Sequence, residues 1–269
     1  MAVELVFEKK PKAVLAFIDS MIMIKRSSQH IIRNTDQLLG TFFQPIMFLV
    51  LFATVFGGAI APGLPEGVNY LDFLMAGIIV QTVAFGSTTT AIAVCSDLQK
   101  GIVDRFRSLP MANLAVLNGH VVSDLFRNSI STIVMLVAGL LIGFRSNANF
   151  VDWLMIAAII LLFTLAFSWL AAIVGVLAKS VEGVQWLTFI IIFPLTFASS
   201  AFVPLDTMTP VLKAFAENQP ITHIVEAVRA LMLGTPVGDH VVMSLIWCFG
   251  ILVIAIPIAS RLFRLKTSS

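Results

Sequence analysis

Charge is the scarcest property of this sequence. Asp, Glu, Lys and Arg make up 12% of the 269 residues, about half the share of a soluble domain. Apolar residues reach 58% and the mean hydropathy is +0.98, which excludes an ordinary soluble domain. No GxxxxGK[ST] run occurs, so the chain has no phosphate loop of its own. HExxH, paired CxxC and GxSxG are missing too. His30, His120, His223 and His240 are scattered without ligand spacing, and no metal site is expected. Cysteine is nearly absent. Cys95 and Cys248 stand in or beside apolar runs, and each reads as a small buried hydrophobe. The net charge of +2 is spread by topology and points to no nucleic-acid partner. No cleavable signal peptide is expected, because the charged start (Met1 to Lys12) leads into an amphipathic stretch rather than a short apolar core.

What is present is a series of long apolar runs. A span needs about 20 apolar residues, so this length holds roughly six with short loops. They are expected over 38–60, 70–96, 114–144, 153–178, 184–202 and 241–263, with Pro194 kinking the fifth. Residues 1–36 carry six Lys or Arg and read as an amphipathic helix in the membrane interface. Between spans five and six, Thr209 and Pro210 open one short helix and Pro220 another, within about 210–234. Both are too short to cross a bilayer, so they either lie on the surface or enter and return. The expected architecture is therefore an all-α polytopic membrane protein with six transmembrane helices, an N-terminal interfacial helix and short outer helices before the last span. By these loops 14 of 17 Lys and Arg fall on one side, which places both termini in the cytoplasm.

Asp, Glu, Lys and Arg are expected to be absent from the span centres. That lowers an ion-coupled carrier or an intramembrane enzyme, although hydroxyl and backbone ion sites stay open. His120, Asp124 and Arg127 share a helical face at the start of span three. They are expected to be a helix end outside the hydrocarbon, in preference to a cluster that senses the neighbouring loop. The small polar run Gly86 to Thr90 suits close helix packing or a polar pathway, packing being preferred. Gln44, Gln81, Ser87 and Thr88 are the candidate pathway residues.

One stretch, Asp97 to Pro110, stands apart. Five of its fourteen residues are charged, and Ile102, Phe106 and Leu109 form an apolar stripe at helical spacing. Pro110 stops the helix. By periodicity it is a short amphipathic helix at the membrane surface, either a solvated connector or a docking element. Its wording, Gln99-Lys-Gly-Ile-Val-Asp-Arg-Phe-Arg-Ser-Leu-Pro110, closely resembles the signature loop of ABC-2 type permeases, nearest the daunorubicin-resistance branch of drug exporters.

The resemblance implies a coupling helix that docks on a separate ATP-binding subunit. Gln99, Lys100, Gly101, Ile102, Asp104, Arg105, Phe106, Arg107, Ser108, Leu109 and Pro110 would form that contact. The turn Lys179 to Gly183 would be a second, minor contact. It further implies two permease chains with two ATPases in the cell membrane. This chain would be a non-enzymatic transport subunit binding no cofactor, ATP and Mg being held by the partner. The expected cargo is a hydrophobic or amphipathic compound: a drug, an antibiotic or a lipid-like molecule. A polysaccharide or lipid-linked glycan is the alternative cargo, and an ion-coupled secondary transporter is a more distant one.

Overall fold

A computed structural model describes residues 35–64, 67–101 and 115–268. The interfacial helix expected before residue 35 and most of the signature stretch lie outside them. Among the described residues the regular structure is helical throughout. α1 (Thr35–Leu51) runs through a π-helical turn (Phe52–Phe56) and a last α-turn (Gly57–Ile60) into a 3-10 turn (Ala61–Gly63). At the π-turn the Thr54 hydroxyl donates to the Val50 carbonyl at 2.7 Å, a bond that competes with the backbone ladder. The remaining helices are α2 (Tyr70–Gly86), α3 (Thr88–Gln99), α4 (Ala115–Ile142), α5 (Phe150–Leu177), α6 (Val181–Phe197), α7 (Pro210–Glu217), α8 (Pro220–Leu233) and α9 (His240–Ser268).

Five stretches are long and apolar enough to cross a membrane: Phe43–Gly63, Tyr70–Gln99, Val116–Ile142, Phe150–Leu177 and His240–Lys266. α6 is a shorter apolar helix of 17 residues. That rises about 26 Å, the lower limit for crossing the hydrocarbon. It stops one turn after Pro194, where the Ala198 N–H bonds the Pro194 carbonyl. The chain then turns through Ser199 and Ser200 instead of continuing as helix to residue 202.

α2 is the axis of the bundle. It is apolar on every side, as a fully surrounded helix must be; Leu74, Met75, Ile78, Ile79 and Val80 have no exposed surface. α5 packs beside it, touching α3, α4, α8 and α9. Gly175 lets α5 and α3 meet backbone to backbone: a Cβ there would stand 2.4 Å from the Ala91 carbonyl oxygen. α5 starts on a capping box in which Asn149 and Asp152 exchange bonds at 2.9 and 3.0 Å.

The two short helices before the last span differ. α7 keeps only Ala216 buried. α8 is sunk among α2, α5 and α9, with Ile221, Ile224, Val225 and Val228 fully buried.

Candidate coupling site and buried polar cluster

The second span is broken. α2 ends at Gly86 and α3 begins at Thr88, with Ser87 between them. The Thr90 N–H bonds the Ser87 carbonyl at 3.0 Å, so the Gly86 carbonyl has no backbone partner from the next turn. Two side chains serve it instead, Thr89 through its hydroxyl at 2.7 Å and Arg127 through Nη2.

α3 carries the start of the signature stretch to one end of the bundle. Gln99 closes the helix, and Gly101 follows at φ 62, a left-handed value that glycine adopts freely. The Gln99 amide donates to the Lys179 carbonyl at 2.8 Å. The structure thus joins the beginning of the signature stretch to the turn between α5 and α6. His120 Nε2 meets Oδ2 of Asp97, the first residue of that stretch, at 3.0 Å. The Lys266 ammonium from α9 donates to the Ala178 carbonyl at 3.2 Å and also to that of Val176, a cation set on the carbonyl end of α5. Of the predicted docking residues, Gln99, Lys100 and Gly101 are described. Ile102, Asp104, Arg105, Phe106, Arg107, Ser108, Leu109 and Pro110 lie outside the described residues.

The candidate pathway residues divide. Gln81 and Ser87 are buried on the broken span, Ser87 bonding the Ala84 carbonyl at 2.7 Å. Thr88, at the same break, is half-buried. Gln44 stands on another helix, α1, and is exposed.

The sequence reading took Asp124 and Arg127 for a helix end; the structure shows both buried inside the bundle. Arg127 lies near the middle of the apolar stretch Val116–Ile142. Asp124 and Arg127 are 1% and 5% exposed, respectively, and pair with each other. Ser168 of α5 donates its hydroxyl to the second Asp124 oxygen. A charge at this depth is tolerated because its partner and the Gly86 carbonyl replace the water it lost. Beside it, Arg127 Nε, both amide atoms of Asn128 and the Thr132 hydroxyl are buried without a partner. The missed signal was available: an Asp and an Arg three residues apart, inside the apolar window, matched by small or hydroxylated residues on two other spans.

At the opposite end a second buried arginine, Arg229 of α8, donates to three partners. Its Nε reaches the Phe73 carbonyl at 3.0 Å, Nη1 reaches Glu226 at 2.5 Å and Nη2 reaches the Ser200 carbonyl at 2.6 Å. Its guanidinium lies 3.6 Å from the centre of the Phe73 ring. Nearby, a file of rings joins α6 to the π-turn. Phe189–Phe193, Phe193–Phe197, Phe197–Phe202 and Phe202–Phe52 have centroids 5.0, 4.3, 4.8 and 4.7 Å apart.

These features define a multi-pass membrane protein whose second span, interrupted at Ser87, runs into the start of the charged signature stretch. Residues 19–233 match the ABC-2 type transporter family, and the chain belongs to it. It is similar to the daunorubicin resistance ABC transporter permease protein DrrB1 of Streptomyces coeruleorubidus, 33% identical over 86% of this chain and 81% of that one. A probable doxorubicin resistance ABC transporter permease, DrrC of Mycobacterium tuberculosis, is 27% identical over 87% and 84%. The inner membrane transport permease YadH of Escherichia coli is 22% identical over 80% and 82%. The chain is therefore a membrane permease subunit of an ABC transporter. It has no ATPase domain of its own and works with an ATP-binding subunit.

Proposed function

We propose that this permease exports a hydrophobic, drug-like compound, with ATP hydrolysed by a separate subunit docked on residues 97–110. The observation that carries the reading is the likeness, over 86% of the chain, to a daunorubicin resistance permease. Two features of the structure support it. The loop that would receive the ATPase is continuous with the broken span and bonded to the second loop through Gln99 and Lys179. The file of phenylalanine rings offers a planar apolar molecule a stacking surface, and Phe189 and Phe193 on it are 46% and 40% exposed.

On this reading a second copy completes the transporter. Both termini face the cytoplasm, and ATP and Mg stay on the partner. Ile102 and Phe106 anchor the ATPase, with Lys100, Asp104, Arg105 and Arg107 as polar contacts. Gln44, Gln81, Ser87 and Thr88 remain the pathway candidates, three of them at or near the break in the second span. The test is doxorubicin uptake into inside-out vesicles holding the permease with and without its ATPase. Uptake is expected only with both subunits and ATP; gradient-driven uptake by the permease alone would replace this reading with an ion-coupled carrier. Asp104→Lys and Arg105→Glu should each abolish co-purification with the ATPase while the permease still reaches the membrane, since like charges across an interface cost several kcal/mol. Full assembly and transport by both variants would reduce the stretch to a connector.

A further inference from the structure

α4 turns one polar stripe toward the broken span. His120, Asp124 and Arg127 recur at i, i+4 and i+7 and so share a face. His120 holds Asp97 near the end of α3, and Arg127 holds the Gly86 carbonyl just before its start. α3 has 12 residues, about 18 Å of helix, and α4 grips it at both ends. Asp124 fixes Arg127 from below and takes the Ser168 hydroxyl of α5. The segment that leaves α3 at Gln99 is therefore tied to α4 at both ends of α3, across the one-residue turn at Ser87 that joins α3 to α2.

A buried amide without a partner lies beside the grip at Gly86. Asn128, one residue beyond Arg127, is fully buried with both amide atoms unmet. It lies against the same glycine: a Cβ on Gly86 would stand 2.1 Å from Asn128 Oδ1. An unmet amide in a dry interior is costly.

We propose that Arg127 is a positioning residue for transport. Through the Gly86 carbonyl it makes displacement of the segment beginning at Gln99 reach α2, instead of being absorbed at the Ser87 break. The proposal rests on the reading of that segment as the ATPase docking site.

The test uses the permease assembled with its ATPase in lipid nanodiscs, with Cys95 and Cys248 replaced by alanine and a reporter Val68→Cys just before α2. Its labelling rate by an impermeant maleimide is compared without nucleotide and after trapping with ATP and vanadate. The parent is expected to change by about tenfold, within the range of coupling effects. The double variant Asp124→Leu, Arg127→Met removes both charges together and so leaves no orphan charge. It should still assemble and trap nucleotide, yet show no rate change and no doxorubicin transport in vesicles. Arg127→Lys should restore most of the change. If the double variant does not reach the membrane, the neutral isosteric pair Asp124→Asn, Arg127→Gln is read in its place, with the same loss expected. A parent without a rate change, a double variant with a normal one, or failure of Arg127→Lys to restore it would each overturn the proposal. A parent that changes normally but moves no doxorubicin would overturn the drug reading and leave this one standing.

Discussion

Arg229 and Arg127 are both buried, and both donate to backbone carbonyls, but their surroundings differ. All three guanidinium nitrogens of Arg229 are engaged, and a phenyl face covers it. Arg127 spends one nitrogen on Gly86 and Asp124, leaves Nε unmet and sits beside an unmet asparagine. A fully satisfied buried network fixes one geometry, whereas a partly satisfied one leaves others close in energy. The first arginine is a fastener that seats α8 against α2; the second leaves buried polar groups beside it unmet.

The largest effect that distinguishes the two is loss of the fastener. Arg229→Met strips the Phe73 and Ser200 carbonyls of their donor and leaves Glu226 unpaired. Glu226 is 26% exposed and can be solvated, but the buried carbonyls lose a charged donor, so a clear fall in melting temperature and membrane level is expected. The Arg127 double variant, which removes both charges, should melt close to the parent. Equal losses in the two would erase the contrast.

Glycine replacements give the next effect. Gly175→Ala sets a Cβ against the Ala91 backbone, which cannot yield, and should cost about 1–3 kcal/mol. At Gly86 the added methyl meets the end of the Asn128 side chain, which can turn away. Gly86→Ala should therefore lower thermal stability less while disturbing transport more. A larger melting loss at Gly86 than at Gly175 would show that the break is rigidly packed.

The short helices before the last span sharpen the contrast by accessibility. In a background without Cys95 and Cys248, a cysteine at Phe215, which is 47% exposed, should react readily with an impermeant thiol reagent. One at Val225, which is fully buried, should not. Ready labelling at both would mean that α8 is not seated in the bundle.

The smallest effect is a pH dependence beside the fastener. His223 of α8 meets His240 of α9, Nδ1 to Nδ1, at 3.3 Å. Burial holds the His223 imidazole below its ordinary value, and the neighbouring His240 adds to this. As pH falls through the ordinary histidine value of about 6.5, the unfolded chain takes up the proton before the folded one. Stability is thus complete above that value and declines on acidification. The melting temperature should drop modestly from neutral to mildly acidic pH, and His223→Gln should flatten the slope. An unchanged slope in the variant would assign the pH effect elsewhere.

Membrane character, helical class and the family itself were legible in the chain. They follow from local quantities: run length, hydropathy and the wording of one loop. Arg127 was not. Counting by loops assigned it to a helix end, because a charge in an apolar window normally marks a boundary. Only the Gly86 carbonyl, distant in sequence, and Asp124, itself held by Ser168, make its burial tolerable. Gln81 and Ser87 read as polar residues on an apolar run, and their burial followed; Gln44 read the same way and is exposed. Periodicity cannot tell the inner face of a span from its outer face when both are apolar.

The depth of α8 shows the same division. Thr209, Pro210, Pro220 and Gly234 punctuate two short helices wherever they lie, because caps and prolines act through their own backbone. Whether such a helix rests on the surface or enters the bundle depends on what receives its polar groups. For α8 the answer is a buried Arg229 whose partners come from α2, the end of α6 and α8 itself. The sequence by itself determined which segments are helical and apolar, since hydrogen bonds within a helix are local. The tertiary structure alone decided which charges are buried and where the second span gives way, because those depend on carbonyls and hydroxyls that only folding brings within reach.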